Sequence, residues 1–177
     1  MLDFEFFKLA QIKCFPEISK DLYLLHKDKI NIDKTGVLEI QWSEENCLEL
    51  YHELNELMKP RRVTKCRFFI TAPYSKLGMH VDLDLNKNFY SLNIPISVDT
   101  KDHSMNWYDY DGIITYSSNA TYNKSISPAE PEKALLKKSL IMLEPTFVQV
   151  GIFHDVLNKS PLPRIILSIR FSDSFIK

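Results

Sequence analysis

The sequence predicts an α+β chain with an all-β core over residues 63–177, a sandwich or barrel, preceded by a mainly helical part over 1–62. Three observations carry this. Apolar residues recur at helical spacing before Pro60, and short β-rich runs take over after it. Turn formers or polar loops separate those runs, as an all-β sandwich or barrel requires. No internal repeat or low-complexity stretch divides the chain, and 177 residues suit one domain with a substantial core.

In PEISKDLYLLH (16–26) the residues Ile18, Leu22, Leu24 and Leu25 fall at roughly helical spacing, predicting a first helix. The apolar stretch 37–42 reads as a strand. Ser43 then suits an N-cap, with Glu44 and Glu45 in the first turn where the helix dipole favours acids. The helix behind it carries Leu48, Tyr51, Leu54, Leu57 and Met58 on one face and stops at Pro60. Strands are predicted at CRFFITA (66–72), MHVDLD (79–84), NFYSLNIPIS (88–97) and MNWYDY (105–110). Further strands follow at SLIML (139–143), FVQVGIFHDVLN (147–158) and RIILSIRFS (164–172). Residues 117–138 are polar and hold two prolines, predicting a surface loop with a short helical piece near ALLKK, and such a loop can serve as a lid.

Composition narrows the function. Hydrophobic residues make up 45% and charged residues 25%, which excludes fibrous and disordered classes. The net charge of -1 offers no overall basic field, so nucleic acid is not the expected partner. Cys14, Cys47 and Cys66 are few, odd in number and widely spaced, which fits thiols in a reducing compartment rather than a disulfide framework or zinc finger. Asp3 and Glu5 stand where a signal peptide would be basic, and no run approaches the ~20 apolar residues of a membrane span. The expectation is a cytosolic protein with no membrane partner.

Three signals point to chemistry. The first is His80-Val81-Asp82 in a predicted strand: residues two apart share a face, so imidazole and carboxylate converge, a donor pair suited to a divalent first-row metal. Alone, the tripeptide is better explained by a surface His beside a solvated Asp. The second is His154, flanked by apolar residues late in the chain, which would complete a two-His, one-carboxylate facial triad with three positions open. Alone, it is better explained by a hydrogen-bonded core histidine. The third is Arg164, ten residues on, after a turn with Pro161 and Pro163. In a hairpin, that spacing brings it back past the His154 strand and sets a guanidinium opposite the metal. This arrangement suits a dicarboxylate that chelates at one end and pairs with Arg at the other. An inward Arg on so apolar a strand is costly without an anion.

HVD (80–82), FYSLNIPIS (89–97), VQVGIFHDVLN (148–158) and PRIILSIRF (163–171) together resemble the 2-oxoglutarate- and iron(II)-dependent oxygenase superfamily, in particular its small phage- or bacterium-like members. The resemblance covers roughly residues 66–172. It implies a double-stranded β-helix, or jelly roll, with the N-terminal helices packed outside the major sheet. It implies Fe(II) at His80, Asp82 and His154, with 2-oxoglutarate as co-substrate and its distal carboxylate at Arg164. Asn93 is a hydrogen-bond donor to that co-substrate in this scheme. Many members carry Ser or Thr two residues after the arginine, where this chain has Ile166 and places Ser168 two further on. Arg170 therefore stands as a second candidate on the same face, with Arg164 preferred for its distance from His154.

Asp84 shares the face of His80 and Asp82 and is the rival carboxylate. His26 and His52 fall in predicted helices as solvent-facing or capping residues, and His103 falls in the polar DTKDHS stretch as an exposed one. Trp107, Tyr108 and Tyr110 read as strand packing, with the lining of a substrate entrance as the lesser possibility. The implied activity is hydroxylation by a dioxygenase, using dioxygen, of an unidentified amino acid, peptidyl side chain or other small molecule. The competing expectations are a cupin-like metal-binding protein without 2-oxoglutarate turnover and a non-catalytic relative, which would show a broken triad.

Overall fold

The β-rich texture after Pro60 supplies ten of the twelve strands in two six-stranded antiparallel sheets among the described residues. The computed structural model describes residues 6–10, 12, 17–40, 48–59, 62–82, 90–96, 101–117 and 125–171. The strands are β1 (Phe7–Leu9), β2 (Gly36–Ile40), β3 (Val63–Thr71), β4 (Ser75–Asp82), β5 (Tyr90–Pro95) and β6 (His103–Asp109). They continue with β7 (Ile114–Ser117), β8 (Ser125–Pro128), β9 (Leu135–Leu140), β10 (Thr146–Gln149), β11 (His154–Asn158) and β12 (Arg164–Phe171). The helices are α1 (Glu17–His26) and α2 (Leu48–Met58). The major sheet runs β1-β10-β5-β12-β3-β2 and the minor sheet β7-β8-β4-β11-β6-β9. From β3 to β6, and again from β10 to β12, each successive strand changes sheet. That alternation is the expected double-stranded β-helix.

The helices cover the major sheet from outside. Phe68 and Ile70 of β3, Leu92 and Ile94 of β5, and Leu167 and Ile169 of β12 pack in one cluster with Leu22, Leu50, Leu54 and Met58. A second cluster between the sheets holds Met105, Trp107, Val148, Val156 and Ile166. The strands of the major sheet are therefore apolar toward the helices and partly polar toward the inside. β12 is buried along its whole length, its odd residues in the helix-facing core and Arg164, Ile166, Ser168 and Arg170 facing the interior pocket.

Several local expectations are corrected. α2 docks through Leu50, Leu54 and Met58, an i, i+4, i+8 ridge, while Leu57 stays 47% exposed. Leu24 and Leu25 of α1 are likewise exposed, and Leu22 carries the contact. The ALLKK segment is strand rather than helix: pairing of β9 with β6 overrides local helix propensity. The loop predicted over 117–138 contains β8 and the start of β9. FVQVGIFHDVLN is not one strand. It breaks at Val150–Phe153, where the Gly151 amide donates to Gln149 Oε1 (2.8 Å), and passes from the major sheet to the minor. β11 and β12 consequently do not form a hairpin ladder; β12 lies between β3 and β5. The N-terminal part also adds β1 and β2 to the major sheet. The Ser43 cap, Cys14 and Cys47 lie outside the described residues, and Cys66 is buried and not in a disulfide.

The Asn158 side chain ties the β11–β12 connection to β3. Asn158 Nδ2 donates to the carbonyls of Thr71, Ala72 and Leu162 at 3.1, 3.0 and 2.9 Å, and its Oδ1 accepts from the Ser160 amide at 3.1 Å. Asn158→Ala would leave these buried groups unsatisfied. Urea denaturation should show a loss of about 3 kcal/mol. Among the described residues, no helix is long and apolar enough to cross a membrane.

Candidate metal centre and its pocket

His80 and Asp82 sit two apart near the end of β4, and their side chains meet on one face as the strand period dictates. The first residue of β11, His154, pairs across the ladder with His80. The register slips between His154 and Val156, a bulge of the kind that re-aims side chains beside functional sites. The rings of His80 and His154 lie 4.4 Å apart between centroids. His80 Nε2 is 3.3 Å from Asp82 Oδ1. One ligand atom from each of His80, Asp82 and His154 lies within 4.8 Å of the others.

The donor chemistry fits a metal ion. His80 Nδ1 donates to the Gly78 carbonyl at 2.7 Å, and His154 Nδ1 to the Ile152 carbonyl at 2.9 Å. Both tautomers are thereby set with an Nε2 lone pair available, which is the outer-sphere arrangement that orients metal-ligating histidines. Two imidazoles and one carboxylate presented from one side match a facial triad with open positions. Arg170 Nη2 pairs with Asp82 Oδ2, on the other oxygen from the one facing His80. Asp84 lies outside the described residues.

Electrostatics follow from this packing. Burial works to raise the Asp82 pKa, but the Arg170 charge and the contact with His80, which donates once that ring is protonated, outweigh it and hold the carboxyl well below the usual range. Burial works against protonating His80, yet its bond and charge pairing with Asp82 prevail and raise it. His154, buried and next to His80, is pushed down to about 3. The trio thus offers an ionised carboxylate and, in His154, an imidazole that stays neutral.

The pocket behind the trio runs between the sheets. Its major-sheet wall is polar, with Arg164, Ser168 and Arg170 of β12 alongside Ser91 and Asn93 of β5. Its minor-sheet wall is apolar between the ends, with Leu77, Met105 and Val156. Ser168 and Arg170 pair in register with Asn93 and Ser91. Ser91 Oγ donates to Asn93 Oδ1 at 3.0 Å. Ladder register sorts these residues into two rows. His80, His154 and Trp107 form one row across the minor sheet, and Ser75, Asn158 and His103 form another. The rows are four β6 residues apart, about 13 Å at ~3.3 Å per residue. On the facing wall, Arg170 stands at the metal row. Arg164 begins β12 at the other end, beside Thr71 of β3.

Arg164 is 4% exposed, and its Nε has no hydrogen-bond partner. Burial alone lowers it to about 10, and no carboxylate among the described residues offsets its charge. Arg170, by contrast, has Asp82.

Sequence reasoning misplaced His103. It opens β6 at 3% exposure rather than lying in an exposed loop. The alternation His103, Met105, Trp107 could have shown that it faces inward, had the strand been extended two residues. Trp107 is fully buried, donating from Nε1 to the Gln149 carbonyl at 2.7 Å and packing against Phe6 and Phe7. Tyr108 turns outward, its hydroxyl donating to Asp155 Oδ2, and Tyr110 stacks edge-on with Phe153. These aromatics pack, as expected. His26 bonds back to the Leu22 carbonyl at the end of α1, and His52 is exposed on α2.

No family model matches the chain, and no curated protein matches it. Solved structures do. SnoK, a non-haem α-ketoglutarate-dependent carbocyclase from nogalamycin biosynthesis, superposes with a TM-score of 0.56 at 14% identity, over 94% of this chain and 78% of that one. The viral collagen prolyl hydroxylase of Paramecium bursaria Chlorella virus-1, solved with 2-oxoglutarate, gives 0.52 at 11% identity over 98% and 97%. A Pseudomonas putida prolyl-4-hydroxylase gives 0.51 at 9% identity over 94% and 91%. The chain has the fold of these oxygenase structures and carries a His-Asp-His group within it.

Proposed function

We propose that the chain is an iron(II)- and 2-oxoglutarate-dependent dioxygenase that hydroxylates a small molecule, free amino acid or peptidyl side chain. The observation that carries this is a single pocket with a His-Asp-His trio at one end and an uncompensated buried guanidinium at the other. A buried cation without a partner is expensive unless an anion arrives. An elongated dianion, chelating with one end and pairing with Arg164 at the other, suits both ends.

In this reading His80, Asp82 and His154 hold the iron, which with 2-oxoglutarate and dioxygen supplies the oxidising power while the co-substrate leaves as succinate and carbon dioxide. The protein's part is placement. The carbonyls of Gly78 and Ile152 lock both imidazole rings. Arg170 occupies Oδ2 of Asp82 and leaves Oδ1 facing the histidines, which favours a one-oxygen carboxylate ligand. Its place at the metal end makes Arg164 the partner for the distal carboxylate. With Oδ1 of Asn93 engaged by Ser91, the Asn93 amide Nδ2 is the group left to donate toward a ligand. Phe6 and Phe7 pack on Trp107 beside the metal row.

Anaerobic addition of iron(II) and then 2-oxoglutarate to the metal-free protein tests the proposal. A visible metal-to-ligand charge-transfer band appearing only with the co-substrate is the expected result, since chelation needs the open positions of the triad. Iron binding without that band would favour a cupin-like metal protein. Failure to bind iron would overturn the reading.

A further inference from the structure

Two residues before Met105, which lines the pocket, and on the same face of β6, a second buried polar group lies within electrostatic reach of Arg164, and the triad leaves it unused. His103 is 3% exposed, and its Nε2 has no hydrogen-bond partner. The other ring nitrogen, Nδ1, meets the Met142 carbonyl. A carbonyl only accepts, so Nδ1 carries the proton and Nε2 of the neutral ring holds a bare lone pair. Arg164, from the facing sheet, acts on this ring electrostatically, and its own Nε–H is also buried and unpaired. Two buried, unsatisfied polar atoms from the two facing sheets, one a donor and one an acceptor, need an explanation, because such groups are few in folded proteins.

A ligand carboxylate placed there satisfies Arg164 at once, but it only accepts and cannot satisfy a bare Nε2. The mismatch disappears if a proton from solvent comes to Nε2 as the carboxylate arrives. Resting on the dioxygenase reading above, we infer that His103 is a second binding residue for the distal carboxylate of 2-oxoglutarate, and that co-substrate binding is coupled to proton uptake on His103 Nε2. Arg164 and protonated His103 then grip the carboxylate from the major and minor sheets together.

Energetics near neutrality allow this. In the ligand-free protein, burial first and the Arg164 charge second push His103 down to about 4. A carboxylate offsets the second cause and adds an attraction of its own. A unit charge about 4 Å away, at an effective dielectric near ~20, changes a proton equilibrium roughly a thousandfold. That is enough to bring the ring into the range where ordinary pH sets its charge. The other groups around His103 do not compete among the described residues. Asn158, its β11 partner, is neutral, and Asp102 and Lys159 beside it are exposed. Arg164 is the charged group that bears on it.

Calorimetric titration of the manganese(II)-loaded protein with 2-oxoglutarate at pH 6.5, in two buffers of unlike ionisation enthalpy, reads the protons taken up. Uptake of half to one proton per ligand is expected, with affinity tightening severalfold as pH falls from 8.5 to 6.5. The monoacid 2-oxobutyrate, lacking the distal carboxylate, should take up none. A His103→Asn variant with unchanged metal content and melting temperature should bind 2-oxoglutarate about tenfold more weakly at pH 6.5 and without proton uptake. Binding by the unaltered protein with no proton uptake, or equal uptake by 2-oxobutyrate or by the variant, overturns the His103 role and leaves the oxygenase reading standing. No binding of 2-oxoglutarate by the metal-loaded protein overturns both. The unaltered protein alone decides the matter if the variant does not fold.

Discussion

Replacing His154 with alanine is expected to abolish tight iron binding and oxygenase activity together. The residue opens β11 directly opposite His80, and its Nδ1 bond to the Ile152 carbonyl aims Nε2 at Asp82 and His80. Loss of an outer-sphere partner alone costs metal sites about 10–100-fold in affinity. In the proposed site, removal of one of three ligands should exceed that and leave no iron after desalting. The fold should survive, because the sheets are held by the β3–β12–β5 ladders and the helix-facing core rather than by this ring. The same ring makes the metal-free protein acid-sensitive. Its folded pKa, about 3, lies below the ordinary histidine value. The unfolded chain therefore takes up a proton first, and stability present above about pH 6.5 is lost as pH falls toward 3. Denaturant midpoints across this window should fall less steeply for His154→Ala. Unchanged iron content in that variant would remove His154 from the site.

What the sequence disclosed was whatever depends on local period. His80 and Asp82 share a face because strands repeat every two residues, and the same arithmetic places Arg164 and Arg170 on one side of β12. The order of the β-rich runs after Pro60 likewise anticipated most of the core strands. What it withheld depends on which strand meets which. Arg164 faces the metal end not through a hairpin with β11 but because β12 crosses to the other sheet, between β3 and β5. The break at Val150–Phe153 has no strong turn signature besides Gly151, so the segment read as one continuous strand. α2 could be rotated wrongly because Leu48, Leu50, Tyr51, Leu54, Leu57 and Met58 allow more than one apolar stripe, and only docking selects Leu50, Leu54 and Met58. ALLKK favours helix locally and becomes strand because β6 offers it a ladder. His103 was hidden by polar neighbours, Asp102 and Ser104, whose side chains say nothing of the row that β6 forms with β11.

Arg164→Met is expected to separate stability from function. In the metal-free protein the Arg164 charge is buried, and no carboxylate among the described residues lies against it. Desolvation is therefore an uncompensated cost. Replacing a buried ionic group with an apolar side chain of similar length is often neutral or stabilising by about 1–4 kcal/mol. Methionine, being flexible, can fill the space along β12 beside Ile166. The variant should accordingly unfold at equal or higher denaturant than the unaltered protein. Its affinity for 2-oxoglutarate should nevertheless fall roughly a hundredfold, the loss of a charge-assisted contact to the distal carboxylate. Iron binding without co-substrate should not change, because Arg164 stands one row away from the ligands. Arg170→Met makes the contrast: it strands the Asp82 carboxylate without its cation, so the metal-free protein should be destabilised and its affinity for iron altered. If Arg164→Met lowered stability and left 2-oxoglutarate affinity intact, the buried guanidinium would be a structural prop, and the dicarboxylate would have to be held elsewhere.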